Sequence, residues 1–123
     1  MSKPLALIYY VSLLPGSQVA NRLQDLGYRV QVLTDLETLV EASEREKPLV
    51  VVSEIVPGSN AFACITKLKK NPATAHIPVL GYSDSQTPAQ QTHAIQAGVS
   101  LLAGRAAISE QLPQLLEQVL QVE

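Results

Sequence analysis

KPLVVVSEIVPGSN, residues 47–60, is the stretch that decides the fold. A proline precedes four consecutive aliphatics, Leu49 to Val52, and the run stops at Ser53-Glu54. Ile55, Val56, Pro57 and Gly58 follow, and Ser59-Asn60 opens a helical pattern. A short apolar run between turn residues predicts a strand buried on both faces, as at the centre of a parallel sheet. In open α/β sheets, ligands and chemistry collect beyond the carboxyl ends of the strands. That edge falls at Ser53.

Working outward, residues 5–11 (LALIYYV) predict a first central strand, with Ser12 capping the helix that follows. Val19, Ala20, Leu23 and Leu26 recur at helical spacing, and Gly27 ends that helix. Residues 28–33 (YRVQVL) alternate apolar with polar, as a strand near an edge does. Thr34 and Glu37 read as a capping box for a second helix with Leu36, Leu39, Val40 and Ser43 inside. Asn60 reads as the cap of a third helix with Phe62, Ile65 and Leu68 inside and Lys67, Lys69 and Lys70 outside. Residues 78–82 predict a fourth strand, and a polar loop, 83–87, follows. Thr87-Pro88 opens a fourth helix, poor in apolar residues, that Gly98 ends. Residues 99–103 predict a fifth strand, and Ser109 caps a last helix with a stripe at Leu112, Leu115, Leu116, Val119 and Leu120.

Strand and helix thus alternate five times with short connections. The pattern calls for parallel strands, right-handed crossovers and helices on both faces. The expected class is α/β, a doubly wound (βα)5 flavodoxin-like three-layer sandwich with strand order 2-1-3-4-5. Residues 1–123 read as a single domain; Met1 reads as a natural start, with no output domain after the last helix.

Composition narrows the function classes. The 123 residues are 46% hydrophobic with a formal net charge of −2, as in an ordinary soluble domain. Nine Lys and Arg, mostly scattered, argue against a nucleic-acid surface, and the apolar runs are strand-sized, which argues against a membrane span. The N-terminal apolar run holds Tyr9, Tyr10 and Ser12 and lacks a small-x-small cleavage site, so it is not a signal peptide. A cytoplasmic location follows, and the single Cys64, a small core residue of the third helix, offers no disulfide framework against it.

Five short pieces in order carry a resemblance: Leu26-Gly-Tyr28, Lys47-Pro-Leu-Val-Val-Val52, Val56-Pro-Gly58, Ile77-Pro-Val-Leu80 and Ala97-Gly-Val99. Over nearly its whole length the chain resembles a response-regulator receiver domain. The resemblance implies an acceptor aspartate four residues before Pro57, where Ser53 stands. It implies two metal-holding acids at the end of strand one, where Tyr10 and Val11 stand. The hydroxyl that contacts the phosphoryl group is matched by Ser83, and Arg105 replaces a lysine, with Ala106 in place of the proline after it. Leu102 takes the place of the aromatic switch residue.

Phosphoryl transfer to a carboxylate depends on positioning and on charge neutralisation, mostly by a metal. A Mg²⁺ site needs oxygen ligands including one or two carboxylates. The nearest carboxylate, Glu54, falls on the opposite sheet face from Ser53 by the period of two, unless a bulge re-aims it. The expectation is a pseudo-receiver without metal, cofactor, catalysis or aspartyl phosphorylation. Ser53 as a nucleophile lacks a base, since His76 and His93 lie on a loop and a helix away from the active edge. Its plainer role is a small polar filler, with Tyr10 plugging the metal's space and reaching Ser53 or Ser83. Arg105 has Glu54, Asp84 or an anion as candidate partners, and its plainer state is solvated.

The resemblance further implies a docking face built from helix four, strand five and helix five. Ala94, Ile95 and Leu102 fall on it, among glutamines and little charge, as in an interface core. The expected partner is a signalling protein, or a second copy of the chain. Two other readings stay open. One is a switch worked by an anion or by phosphorylation of Ser53 or Ser83, with Arg105 reading the charge. The other is a small flavodoxin-like ligand-binding domain or enzyme, although no G-x-G-x-x-G or Walker pattern occurs.

Overall fold

A computed structural model describes residues 3–56, 58–84 and 87–120. Pro57, Ser85, Gln86 and Gln121, which enter the motif, loop and helix-face readings above, lie outside the described residues. Five strands pair in parallel as one sheet: β1 (Leu5–Tyr9), β2 (Arg29–Leu33), β3 (Val50–Glu54), β4 (Val79–Ser83) and β5 (Leu101–Gly104). Their order is β2-β1-β3-β4-β5, so the chain reverses direction across the sheet between β1 and β3. Helices α1 (Leu13–Asp25), α2 (Leu39–Glu46), α3 (Ala61–Lys70), α4 (Pro88–Ala97), α5 (Arg105–Glu110) and α6 (Leu112–Leu120) cover the two faces.

The continuous valine run works as two-sided burial requires. Val51 faces a layer that holds Leu39, Ile65, Leu68 and Ala94 from α2, α3 and α4. Val50 and Val52 face the other layer, with Val19 and Leu23 of α1, Ile108 of α5 and Leu112 and Leu116 of α6. Each β3 residue from Val50 to Ser53 is therefore buried, whereas the edge strand β2 leaves Arg29 and Val32 in water. Cys64 sits in the first layer, where burial, with Glu37 nearby, pushes its thiol up.

Several helix ends differ from the sequence reading. Asp35, not Thr34, caps the 3₁₀ turn Leu36–Thr38, its carboxylate accepting from Glu37 N at 2.9 Å. The Glu37 side chain instead accepts from Asn60 Nδ2, and α3 is capped by Ser59, whose Oγ accepts from Ala61 N at 3.3 Å. Thr87 does cap α4, through Gln90 N at 3.2 Å. The final helical segment starts at Arg105 rather than at Ser109 and breaks at Gln111. Pro113 explains the break, because its ring would clash with the carbonyl of Ser109 in a continuous helix.

Two positions show tight backbone demands. Gly98 ends α4 at φ 107°, and a Cβ there would come within 2.5 Å of Lys69 Cγ. The Lys69 stem thus lies on the glycine, and its ammonium donates to the carbonyls of Ala75 and Ile77. Lys47 ends α2 in the left-handed region, φ 51° and ψ 60°, where helices usually place glycine. That conformation costs a non-glycine residue about 1–2 kcal/mol, while glycine forfeits roughly 0.5–1 kcal/mol of chain entropy on ordering. Lys47→Gly is therefore expected to raise stability by about 0.5–1 kcal/mol, read as an unchanged slope and a higher midpoint in urea unfolding.

Candidate functional site at the carboxyl edge of the sheet

Residues from four strand ends meet at the carboxyl edge. Ser53 stands in register with Tyr9 on one side and Gly81 on the other. It is wholly buried, and its Oγ donates to the carbonyl of Glu54 at 3.1 Å. Ser83 is the last residue of β4, in register with Gly104, and is buried too. Tyr10 follows β1 directly. Its ring lies on the backbone of Gly16, where any Cβ would fall 2.3 Å from Tyr10 Cγ, and so it packs towards α1.

Glu54 gives this edge its distinctive chemistry. It sits in register with Tyr82, on the α1, α5 and α6 side of the sheet and not on the Ser53 side. Its carboxylate reaches the loop after β1 and accepts from Val11 N at 2.8 Å and Ser12 N at 2.9 Å, both on Oε1. Ser12 Oγ donates to Oε2 at 3.3 Å. Ser12 therefore does not cap α1; its hydroxyl serves the glutamate instead. The loop that carries Tyr10 and Val11 is tied to β3 by an acid from the neighbouring strand.

Arg105, the first residue of α5, pairs through Nε with Asp84 Oδ1 at 2.9 Å. Both side chains are at least half exposed, so the pair contributes about 0–1 kcal/mol. Between Glu54 and Arg105 stands Tyr82, a residue not singled out by the sequence reading. Its ring is buried and its hydroxyl has no partner among the described residues. Burial, reinforced by Glu54 and Tyr10 and opposed by Arg105, holds the phenol well above its usual range. Its place between Gly81 and Ser83 in the strand VLGYS is the only sequence signal it offers.

The predicted residues do not all come together. Ala94 is fully buried and Leu102 is only 6% exposed, both in the core, so neither forms a docking surface; this corrects the sequence reading. The cause is geometric, because the sparse apolar positions of α4, Ala94 and Ala97, are the ones that must face the sheet. Ile95 points outward and is 71% exposed. A second apolar patch went unread. Leu14 precedes a proline and takes extended angles, φ −115° and ψ 126°. Val11, before α1, and Leu13 and Leu14, at its kinked start, are 63%, 67% and 59% exposed. His76 lies on the loop before β4, and His93 sits on α4 against Phe62, ring centres 5.7 Å apart. Among the described residues no three His, Cys, Asp or Glu side chains group as a metal site would require. No helix among them is long and apolar enough to cross a membrane.

This fold is that of response-regulator receiver domains. The chemotaxis protein CheY4 of Vibrio cholerae superposes with a TM-score of 0.84 at 18% identity, covering 96% of this chain and 99% of that one. The beryllofluoride-activated N-terminal receiver domain of RstA from Klebsiella pneumoniae gives 0.82 at 18% identity, covering 96% and 99%. An orphan response regulator of H. pylori gives 0.77 at 18% identity, covering 94% and 96%. No family model matches the sequence, and no curated protein does.

Removing the Glu54 carboxylate leaves two amides without their acceptor. Glu54→Ala is expected to destabilise by about 1–3 kcal/mol and to speed hydrogen exchange at Val11 and Ser12 above all other sites. Tyr82→Phe removes a buried hydroxyl that has no partner, so at neutral pH it is expected to be neutral or stabilising. A raised phenol pKa means that the folded state keeps a proton the unfolded chain releases. Wild-type stability should accordingly fall as pH rises above 10.0, the ordinary tyrosine value. Tyr82→Phe should remove part of that alkaline loss, as followed by denaturant midpoints across pH 8–11 (roughly, bracketing the free phenol).

Proposed function

We propose that the chain is a receiver-type signalling module that works through protein–protein contact, without aspartyl phosphorylation and without enzymatic activity. The observation that carries this reading is how Glu54 is used. The carboxylate next in sequence to the acceptor position is spent on the amides of Val11 and Ser12, and neutral residues, Tyr10 and Val11, stand where the family keeps its acids. An Mg²⁺-assisted transfer to a carboxylate needs convergent acids. Ser53 as a stand-in acceptor is disfavoured by its full burial and by its bond to the Glu54 carbonyl. An anion switch is disfavoured as well, since the loop amides of Val11 and Ser12 already have Glu54.

The reading places the module in the cytoplasm, its partner being a signalling protein or a second copy of the chain. The contact surface we favour is the outer side of α4, where Ala89, Thr92 and Ile95 are exposed and uncharged. Depletion of charge is what interface cores share.

Two measurements test this. Addition of Mg²⁺ and beryllofluoride should leave the melting temperature unchanged. Binding at a hundredfold excess over Kd would stabilise by about 2.7 kcal/mol, and a rise of that size would overturn the proposal. Ile95→Glu should abolish partner capture, or dimerisation in sedimentation experiments, without lowering the melting temperature. Unaltered association would remove α4 as the contact surface.

A further inference from the structure

The cleft between α3 and α4 begins at the loop after β3, where Ile55 and Val56 line it, runs away from Glu54 and Arg105 along the two helices, and has a volume of about 500 Å³, within the range of small-molecule pockets. Ser59, Phe62 and Thr66 recur at helical spacing along one wall, and Gln90, His93 and Ala97 along the other. The walls are helices α3 and α4, and the inward residues of α4 are alanines, Ala94 and Ala97. Thr66 Oγ, donating to the carbonyl of Ala97 at 3.3 Å, ties them at one end. Phe62 and His93 meet at 5.7 Å and an angle of 59°, so an aromatic surface borders the opening.

Three features define what would fit. Among the described residues no Asp, Glu, Lys or Arg lines the cleft, so a charged ligand would lose its hydration without gaining a counter-ion. The side-chain Nε2 of Gln90 is buried and has no partner among the described residues, a condition folded proteins seldom leave unresolved. Gln96 adds a second amide with both donor and acceptor, on the same wall. By contrast, the roomier cavity at the amino edge of the sheet has its Lys69 ammonium already committed to the carbonyls of Ala75 and Ile77.

We propose that the α3–α4 cleft is a binding site for an uncharged, planar heterocycle of the nucleobase type. Its ring stacks on the Phe62–His93 wall, and a ring carbonyl or ring nitrogen accepts from Gln90 Nε2. The site uses the side of α4 opposite Ile95, so it stands whether or not that outer surface docks a partner.

The test is a ¹⁵N–¹H titration of the whole chain with adenosine, guanosine, uridine and thymidine, each alongside its 5′-monophosphate. At least one nucleoside should give saturable shifts confined to Ile55, Val56, residues 58–66 and 90–97 and the Gln90 side-chain amide. The matching monophosphate should bind no tighter. Gln90→Leu, which keeps the size and removes the donor, should weaken binding about tenfold. Ala63→Phe, a change at an exposed position of the same cleft, should block it by filling the space. If no nucleoside binds, if the shifts lie elsewhere, or if the monophosphate binds tighter, the proposal is wrong. It is equally wrong if folded Gln90→Leu or Ala63→Phe protein binds as well as wild type.

Discussion

A carboxylate facing two backbone amides at 2.8 and 2.9 Å governs the carboxyl edge of this protein. The loop after β1 must leave a strand that is buried on both sides, and its amides then have no ladder to join. In an ordinary protein, water or a cap would meet them. Here Glu54 crosses from β3 and meets both, so the ends of two neighbouring strands are joined by a charge-assisted contact, the stronger kind of hydrogen bond. Tyr10 is held on Gly16, Ser12 turns from capping to serving Glu54, and Tyr82 stands buried beside the same acid. The arrangement is internally satisfied except at the Tyr82 hydroxyl.

The layer architecture was legible because it is written in periodicity. The run of Val50, Val51 and Val52 required burial on both sides, and Gly27 and Gly98 marked two helix ends at φ 98° and 107°. What could not be read is where side chains of equal chemistry compete. Thr34 and Asp35 are both fit to cap a helix, and only the path of the chain into the 3₁₀ turn selects Asp35. Asn60 and Ser59 compete likewise, and Glu37, a distant residue in sequence, draws Asn60 away. The start of the last helical segment was hidden because Arg105, Ala106 and Ala107 carry no stop or start signal.

The candidate site was half legible. Counting along the chain located Ser53, Ser83, Tyr10, Val11 and Arg105 at the carboxyl edge, since strand ends in a parallel sheet fall on one side. The period of two also put Glu54 on the face away from Ser53. That its side chain would then reach over to another strand's loop depends on a side-chain path, which no periodicity encodes. The docking residues show the opposite failure. An apolar residue on a weakly amphipathic helix is equally consistent with surface and core, and only packing distinguishes Ala94 from Ile95. A superposition at 0.84 with only 18% identity makes a related point: the fold is shared where most residues are not.

The contact between Lys69 and Gly98 has a consequence for how this chain can change over time. A side chain at position 98 would collide with the lysine stem as well as adopt an unfavourable φ of 107°. Shortening Lys69 first would clear that space, yet it would also strip the carbonyls of Ala75 and Ile77 of their donor. Neither residue is free to drift alone, and the route through either single mutant runs downhill in stability. Two positions far apart in sequence are thereby constrained together, and the constraint is set by the width of one methylene chain.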